Sequence, residues 1–285
     1  MSLRLEMVGP GFAAEASGVN LAQGIDAATA DAIDQALADY GVLCFRNQPL
    51  NDDQQQAFIE QFGPPTVAAV KEIARGHPHF YDISSVDENG QPFAEDSVFA
   101  LYMRANLLWH TDGTPNQPPI RLTALSARTL PPNPPDTLFA NMRAAWNALP
   151  KSRQDELLPL QVEHSIFASR GKMGMKLEDF SEETRMTKPP VTHPLVRTHK
   201  RAGLKSLYLA SHASHVIGWP QERGEALLAE LTEFATQPQF VYTHKWQDND
   251  LMMWDDSWTM HRATPYSNPH PRILRWCAVR ELEPV

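Results

Sequence analysis

Proline constrains this chain more than any other residue type, because 24 of its 285 residues are proline. A proline ring fixes φ and removes a backbone donor, so it interrupts both helices and central strands. Short apolar runs lie between the prolines, bounded by glycine and asparagine. The pattern therefore predicts short elements joined by many turns, and it argues against a helical bundle.

Seven short runs have the composition of strands. Helices are predicted near the N-terminus and in insertions, where capping residues precede an apolar face of helical spacing. This combination predicts a mainly β fold with flanking helices, either a β-sandwich or a jelly roll. No linker marks a second domain, so residues 1–285 are expected to form one. The predicted strands are residues 42–45, 122–127, 137–140, 206–210, 240–244, 251–254 and 273–279.

Four helices are predicted: one capped by Asp26 and ended by Gly41, one capped by Asn51 and stopped by Gly63, and two over residues 143–149 and 221–235. Residues 71–108 and 173–190 have weak periodicity. In a jelly-roll enzyme such segments are loops over the open end, where substrates bind.

Charge and composition exclude several function classes. The formal net charge is −9 and no block of basic residues is present, so we expect no nucleic-acid partner. No run approaches the roughly 20 apolar residues of a membrane helix, and no signal-peptide pattern is seen, so a cytoplasmic location is expected. Cys44 and Cys277 lie in apolar runs and are interpreted as buried small hydrophobic residues. The sequence is compatible with a homo-oligomer.

A candidate metal site comes from His110 and Asp112, two residues apart, with His261 far downstream. In an extended strand, residues i and i+2 face the same side, so both side chains can reach one ion. Two imidazoles and one carboxylate leave open positions, which suits iron(II) and O₂. A surface His–Asp pair and a zinc site remain alternatives.

Arg272 follows His261 by eleven residues, and Thr137 follows Asp112 by 25. An arginine on a neighbouring strand can bind the distal carboxylate of 2-oxoglutarate through paired hydrogen bonds, and a threonine hydroxyl can add another. A zinc hydrolase or a non-catalytic binding jelly roll has no need of all five groups.

The sequence resembles the TauD/TfdA family of iron(II)- and 2-oxoglutarate-dependent dioxygenases over nearly its whole length, and it is closest to the 2,4-dichlorophenoxyacetate branch. The segments that carry the resemblance include Gly41-Val42-Leu43-Cys44-Phe45-Arg46-Asn47-Gln48, Trp109-His110-Thr111-Asp112, Asp136-Thr137-Leu138-Phe139, His193-Pro194-Leu195-Val196-Arg197-Thr198-His199, His212-Ala213-Ser214-His215 and His261-Arg262-Ala263.

The resemblance implies a double-stranded β-helix, and it implies Fe(II), 2-oxoglutarate and O₂ as cofactor and co-substrates. By position, His110, Asp112 and His261 match the iron ligands, while Thr137 and Arg272 match the 2-oxoglutarate anchors. The implied reaction is hydroxylation of a small organic substrate, such as an aryloxyalkanoate whose ether is then cleaved. A biosynthetic hydroxylase or desaturase of an amino-acid-derived compound is the alternative.

The substrate side departs from the family pattern. Many members have a second arginine fifteen residues after the distal histidine, where this chain has Trp276. Along a strand Arg272 and Trp276 share one face, so Trp276 is expected to line the pocket, although core packing is an equal alternative. Asn106, Lys71 and His199 are further candidates for substrate binding, each with a structural or surface role as its alternative.

Overall fold

The helices form where caps and apolar spacing predict them. In the computed structural model, which describes residues 2–67, 78–266 and 270–283, the first helix is α1 (Ala27–Tyr40). The side chain of Asp26 accepts the N–H of Thr29 at 2.8 Å, and Gly41 ends the helix with φ of 72°. A Cβ at Gly41 would lie 2.7 Å from the ring of Trp258, so only glycine fits there.

The described residues contain seven further α-helices and fifteen strands. The helices are α2 (Asp52–Ile59), α3 (Val98–Arg104), α4 (Met142–Ala148), α5 (Lys151–Leu157), α6 (Ile166–Gly171), α7 (Glu182–Thr187) and α8 (Gln221–Ala235). The strands are β1 (Arg4–Met7), β2 (Ala14–Ser17), β3 (Val42–Phe45), β4 (Tyr81–Ser84), β5 (Ile120–Thr129), β6 (Thr137–Asn141), β7 (Gln161–His164), β8 (Val191–Pro194), β9 (Val196–Thr198), β10 (Lys205–Leu207), β11 (Ala213–Val216), β12 (Val241–His244), β13 (Leu251–Asp255), β14 (Thr259–Ala263) and β15 (Ile273–Arg280).

The largest sheet has seven strands in the order β1-β2-β3-β13-β5-β15-β4, and the sheet that carries His261 has the order β12-β6-β14. Residues alternate between the two faces of the large sheet. On β13, Leu251 and Met253 pack in the cluster that includes α1 and α2. Met252 and Trp254 pack in a second cluster with Phe139 of β6. The metal-site candidates lie on this second, inner face.

The structure is mainly sheet with flanking helices, as predicted, but two segments expected to be loops contain regular structure. Residues 71–108 include β4 and α3, and residues 173–190 include α7. These elements are four to seven residues long, so they leave little periodicity in the sequence. Strand β4 is at the edge of the large sheet, paired only with β15 among the described strands.

Both cysteines are buried and free, which confirms their interpretation as buried small hydrophobic residues. Among the helices of the described residues, none combines the length and the hydropathy that a membrane span requires.

Candidate metal and co-substrate site

Two histidines meet across a backbone bridge at the inner face of the sheets. The N–H of His110 donates to the carbonyl of His261 at 2.9 Å, and the N–H of His261 donates to the carbonyl of His110 at 2.7 Å. The two ring centroids are 4.2 Å apart. The ring of His261 also packs against Phe139 and Trp254, whose centroids lie 5.9 and 4.6 Å away. Both imidazoles therefore have fixed positions.

His110 has the tautomer that a metal ligand needs. Its Nδ1 lies 2.7 Å from the carbonyl oxygen of Leu108, which can only accept, so Nδ1 is the donor and Nε2 has a free lone pair. Burial lowers the pKa of His110, while the charge of Asp112 opposes the shift. Burial lowers the pKa of His261 to about 3, with a contribution from the charge of His110. Both rings are neutral at neutral pH, the form that binds a metal.

Asp112 presents one carboxylate oxygen to these nitrogens. Its Oδ1 is 3.7 Å from Nε2 of His110 and 4.0 Å from Nε2 of His261. Its Oδ2 accepts the indole N–H of Trp276 at 2.9 Å and lies 3.2 Å from the hydroxyl of Thr123. The three ligand-type atoms lie within 4.8 Å of one another, so one ion can contact all three. This donor set fits iron(II).

The prediction that His110 and Asp112 share a face of a strand is wrong. His110 makes a single bridge to His261, and Asp112 begins a turn. The backbone N–H of Asp112 instead donates to Asp256 at 3.0 Å. Sequence reasoning missed Asp256, a buried carboxylate whose Oδ2 also lies 2.7 Å from the Thr123 hydroxyl. Burial and the nearby charge of Asp112 raise its pKa.

The alternation of β15 places Trp276 as expected. Arg272, Leu274 and Trp276 all line the cavity beside the metal-site candidates. Arg275 points to the opposite face and forms an ion pair with Asp82 at 2.6 Å. The ring of Trp276 stacks on Tyr81 with centroids 4.6 Å apart. Trp276 is thus both a wall of the cavity and the donor that orients Asp112.

Replacing Trp276 by phenylalanine should weaken metal binding by roughly 10-fold, because hydrogen bonds that orient a ligand typically contribute 10- to 100-fold to affinity. The measurement is calorimetric titration of the protein with Mn(II). Trp219→Phe is the control, since Trp219 packs against the α8 cluster outside this cavity. An unchanged Mn(II) affinity in Trp276→Phe would contradict the orienting role.

Arg272 and Thr137 line the same cavity as the three ligand candidates. Burial lowers the pKa of Arg272 to about 10, so the side chain is still a cation at neutral pH. Its Nε has no hydrogen-bond partner among the described residues, and no described carboxylate forms an ion pair with it. The hydroxyl of Thr137 accepts the indole N–H of Trp246 at 3.0 Å, so its proton is free to donate. A buried cation beside a free hydroxyl fits the distal carboxylate of 2-oxoglutarate.

A second lobe adjoins this cavity and shares His110 and Asp112 with it. Asn106 lines both lobes, together with Tyr81 and Trp276. Sequence reasoning missed most of the second lobe, which has no motif of its own. Its further lining residues include Tyr102, Ile120, Ile166, Arg170, Lys188 and His212.

Of the two remaining sequence candidates, Lys71 lies outside the described residues. His199 lines neither lobe; it lies in a separate cavity with Arg197 and Glu281, and its Nε2 is 2.9 Å from Asp255. Its Nδ1 accepts the N–H of Ala202 at 2.9 Å. In the structure His199 is thus hydrogen-bonded outside the cavity that contains the metal-site candidates.

Cys44, His244 and Asp250 form a second group of ligand-type side chains among the described residues. Asp250 already accepts from Arg46 at 2.6 Å and lies 3.1 Å from His244. Burial raises the pKa of the Cys44 thiol, which keeps it protonated. One oxygen of Asp250 is thus already engaged by Arg46 and His244, and none of the three side chains lines either lobe.

Comparison with known proteins agrees with this geometry. The sequence profile of the family described as "Taurine catabolism dioxygenase TauD, TfdA family" matches residues 5–278. The chain is 41% identical over 279 residues to the α-ketoglutarate-dependent 2,4-dichlorophenoxyacetate dioxygenase of Cupriavidus pinatubonensis, covering 96% of each chain. It is 32% identical over 270 residues to the (S)-phenoxypropionate/α-ketoglutarate dioxygenase of Sphingobium herbicidovorans, covering 92% of this chain and 90% of that protein.

Among solved structures, the crystal structure of AAD-2 in complex with Mn(II) and N-oxalylglycine superposes with a TM-score of 0.90. The two sequences are 37% identical, and the match covers 100% of this chain and 98% of that one. The family resemblance is confirmed, and its cofactor requirements are iron(II), 2-oxoglutarate and O₂. The chain belongs to the TauD, TfdA family and is a 2-oxoglutarate-dependent dioxygenase.

Proposed function

We propose that this dioxygenase hydroxylates an aryloxyalkanoate at the carbon next to the ether oxygen, and that the hydroxylated product then breaks down with ether cleavage. The proposal rests on one cavity that is lined by His110, Asp112, His261 and the buried Arg272, which has no ion pair to a described carboxylate. A second, partly aromatic lobe shares His110 and Asp112 with this cavity. The relatives whose names specify an aryloxyalkanoate support the substrate class.

In this proposal Nε2 of His110, Oδ1 of Asp112 and Nε2 of His261 would hold the iron, and Arg272 and Thr137 would hold the distal carboxylate of 2-oxoglutarate. When bound, iron, 2-oxoglutarate and O₂ supply the oxidising power that converts a C–H bond of the substrate to C–OH. The protein supplies binding and orientation. Arg272 places the co-substrate by charge-assisted hydrogen bonds from one side of the cavity.

The chain also keeps the site apart from water. The indole of Trp276 and the ring of Tyr81 stack beside Asp112, and Trp254 covers His261. Trp254 and Trp276 are at most 3% exposed. An apolar wall of this kind strengthens the charge interactions inside the cavity and limits side reactions of the oxidising complex.

The proposal also covers how the two sheets beside the metal-site candidates are arranged. We propose that the large sheet and the β12-β6-β14 sheet are the two halves of a double-stranded β-helix, which encloses the metal between them. The inner-face packing of Met252 and Trp254 against Phe139 supports this architecture. Residues 1–285 would then be one dioxygenase domain that acts in the cytoplasm on a small molecule, without a nucleic-acid or membrane partner.

Family membership removes two alternatives, the zinc-dependent hydrolase and the non-catalytic binding jelly roll. The alternative of a hydroxylase or desaturase of amino-acid-derived compounds rests on Trp276, which stands where an anion-binding arginine was expected.

A succinate-release screen over aryloxyalkanoates, alkylsulfonates and acyl amino acids distinguishes the aryloxyalkanoate dioxygenase from the enzyme of amino-acid-derived compounds. We expect aryloxyalkanoates to raise succinate release above the substrate-free rate and to yield the corresponding phenol. Stimulation by acyl amino acids alone would contradict the proposed substrate class.

A further inference from the structure

The second lobe contains a cation that none of the assignments above uses. Arg170, on α6, lines this lobe together with His110 and Asp112. The side chain is buried, with 7% of the residue exposed. Its guanidinium carbon lies 4.0 Å from the ring centroid of Tyr102, and one terminal nitrogen donates to the hydroxyl of Ser169 at 3.1 Å. Its Nε has no hydrogen-bond partner among the described residues.

A buried arginine normally has its charge balanced, because removing a cation from water is unfavourable. Four arginines of the described part of the chain are buried: Arg143, Arg170, Arg197 and Arg272. Arg197 is paired with Glu281 at 3.0 Å. Arg143 donates to the carbonyl of Ala38 at 2.5 Å and lines neither lobe of the cavity.

Arg170 and Arg272 are therefore the two buried arginines of the described residues that line the cavity, one in each lobe, and both lobes also contain His110 and Asp112. Neither forms an ion pair with a described carboxylate. If Arg272 binds the anion of the co-substrate, the matching group in the other lobe fits a second anion. The geometry thus favours an anionic substrate.

Position 276 on β15, where many family members have an arginine, does not provide the second cation in this chain, and Arg170 on α6 does. The indole has one N–H, and Asp112 accepts it at 2.9 Å, so Trp276 has no donor left for a substrate. Lys188 adds positive charge to the same lobe as Arg170, and its amine donates to the side chain of Asn116 at 3.1 Å. The rest of the wall is mostly apolar or aromatic and suits an aryl group.

We propose that Arg170 binds the carboxylate of the substrate, with Lys188 as a second cation, and so turns the substrate carbon toward the metal. This inference rests on the proposed function and adds the substrate anchor to it. The planar fork of a guanidinium matches a carboxylate, which makes a small aryl-substituted carboxylate the fitting ligand class.

The test measures binding to the protein loaded with Mn(II) and N-oxalylglycine, so it does not depend on turnover. Calorimetry gives the Kd of phenoxyacetate, phenoxyacetamide and phenoxymethanesulfonate for wild type, Arg170→Gln and Arg170→Lys. Arg223→Gln is the control, since Arg223 is an exposed arginine on α8 outside the cavity.

We expect Arg170→Gln to raise the Kd of phenoxyacetate roughly 30-fold, the size of lost charge-assisted hydrogen bonds, and to leave the amide nearly unchanged. Arg170→Lys should recover part of the affinity. Unchanged N-oxalylglycine binding in the variants shows an intact site. If Arg170→Gln fails to fold, the test uses Arg170→Lys and compares its Kd for phenoxyacetate with its Kd for phenoxyacetamide. A ratio of these two Kd values equal to that of wild type overturns the proposal.

Two other outcomes overturn the proposal in distinguishable ways. Equal phenoxyacetate affinity in wild type and Arg170→Gln, with normal N-oxalylglycine binding, overturns the role of Arg170 and leaves the proposed function standing. Tighter binding of the sulfonate than of the carboxylate in wild type, lost in Arg170→Gln, overturns the choice of carboxylate. Failure of wild type to bind N-oxalylglycine overturns the proposed function itself.

Discussion

An Asp112→Ala variant should lose succinate formation almost completely, by roughly 1,000-fold or more. The carboxylate is the one anionic group among the three ligand candidates, and its Oδ1 faces both histidine nitrogens. Without it, two neutral imidazoles remain to hold iron, and a loss of several kcal/mol in transition-state stabilisation corresponds to three or more orders of magnitude in rate. The measurement is succinate release with saturating 2-oxoglutarate and added Fe(II).

Asp248→Ala is the matched control, because Asp248 is an exposed aspartate outside the cavity. Asp112→Ala also removes the acceptor of the Trp276 indole, so the melting temperature of each variant is measured alongside. A succinate rate in folded Asp112→Ala equal to that of Asp248→Ala would overturn the ligand assignment.

Arg272→Gln should raise the KM for 2-oxoglutarate by about 100-fold, because two charge-assisted hydrogen bonds to its distal carboxylate are lost. Iron affinity should change little, since Arg272 is not among the ligand candidates. In the absence of 2-oxoglutarate the variant should melt no lower than wild type, because burial already disfavours the Arg272 cation and lowers its pKa to about 10.

The opposite face of β15 offers a control for Arg272. Arg275 is three residues away and forms an ion pair with Asp82, outside the cavity. Arg275→Gln should therefore lower stability without changing the KM for 2-oxoglutarate. The assignment of Arg272 is contradicted if both variants have the KM of wild type, or if both raise it equally.

Local rules were enough to predict the elements that have strong local signals. The helix from Asp26 to Gly41 follows from its cap, its apolar spacing and its glycine, and the structure has all three. The alternation along β15 predicts that Arg272 and Trp276 face the cavity and Arg275 does not. Residue spacing and family resemblance together predict the five metal and co-substrate candidates, which the structure brings to one cavity.

Tertiary packing determines what those rules missed. Nothing local marks Arg170 as different from other arginines, and only the fold shows that it lies in the second lobe without an ion pair to any described carboxylate. His199 falls within a segment that carries the family resemblance, yet its partner is Asp255, 56 residues along the chain. The position of Trp276 on its strand predicts that the side chain faces the cavity. It does not predict the hydrogen bond that the indole donates to Asp112.

The most direct test of the iron and 2-oxoglutarate site is an anaerobic titration of the protein with Fe(II) and 2-oxoglutarate, followed in the visible spectrum. Chelation of iron by the co-substrate gives a weak charge-transfer band. We predict that the band appears in wild type and saturates at one equivalent of iron. Asp112→Ala should lack it, and Arg272→Gln should require about 100-fold more 2-oxoglutarate. Absence of the band in folded wild-type protein would contradict the assignment of this site.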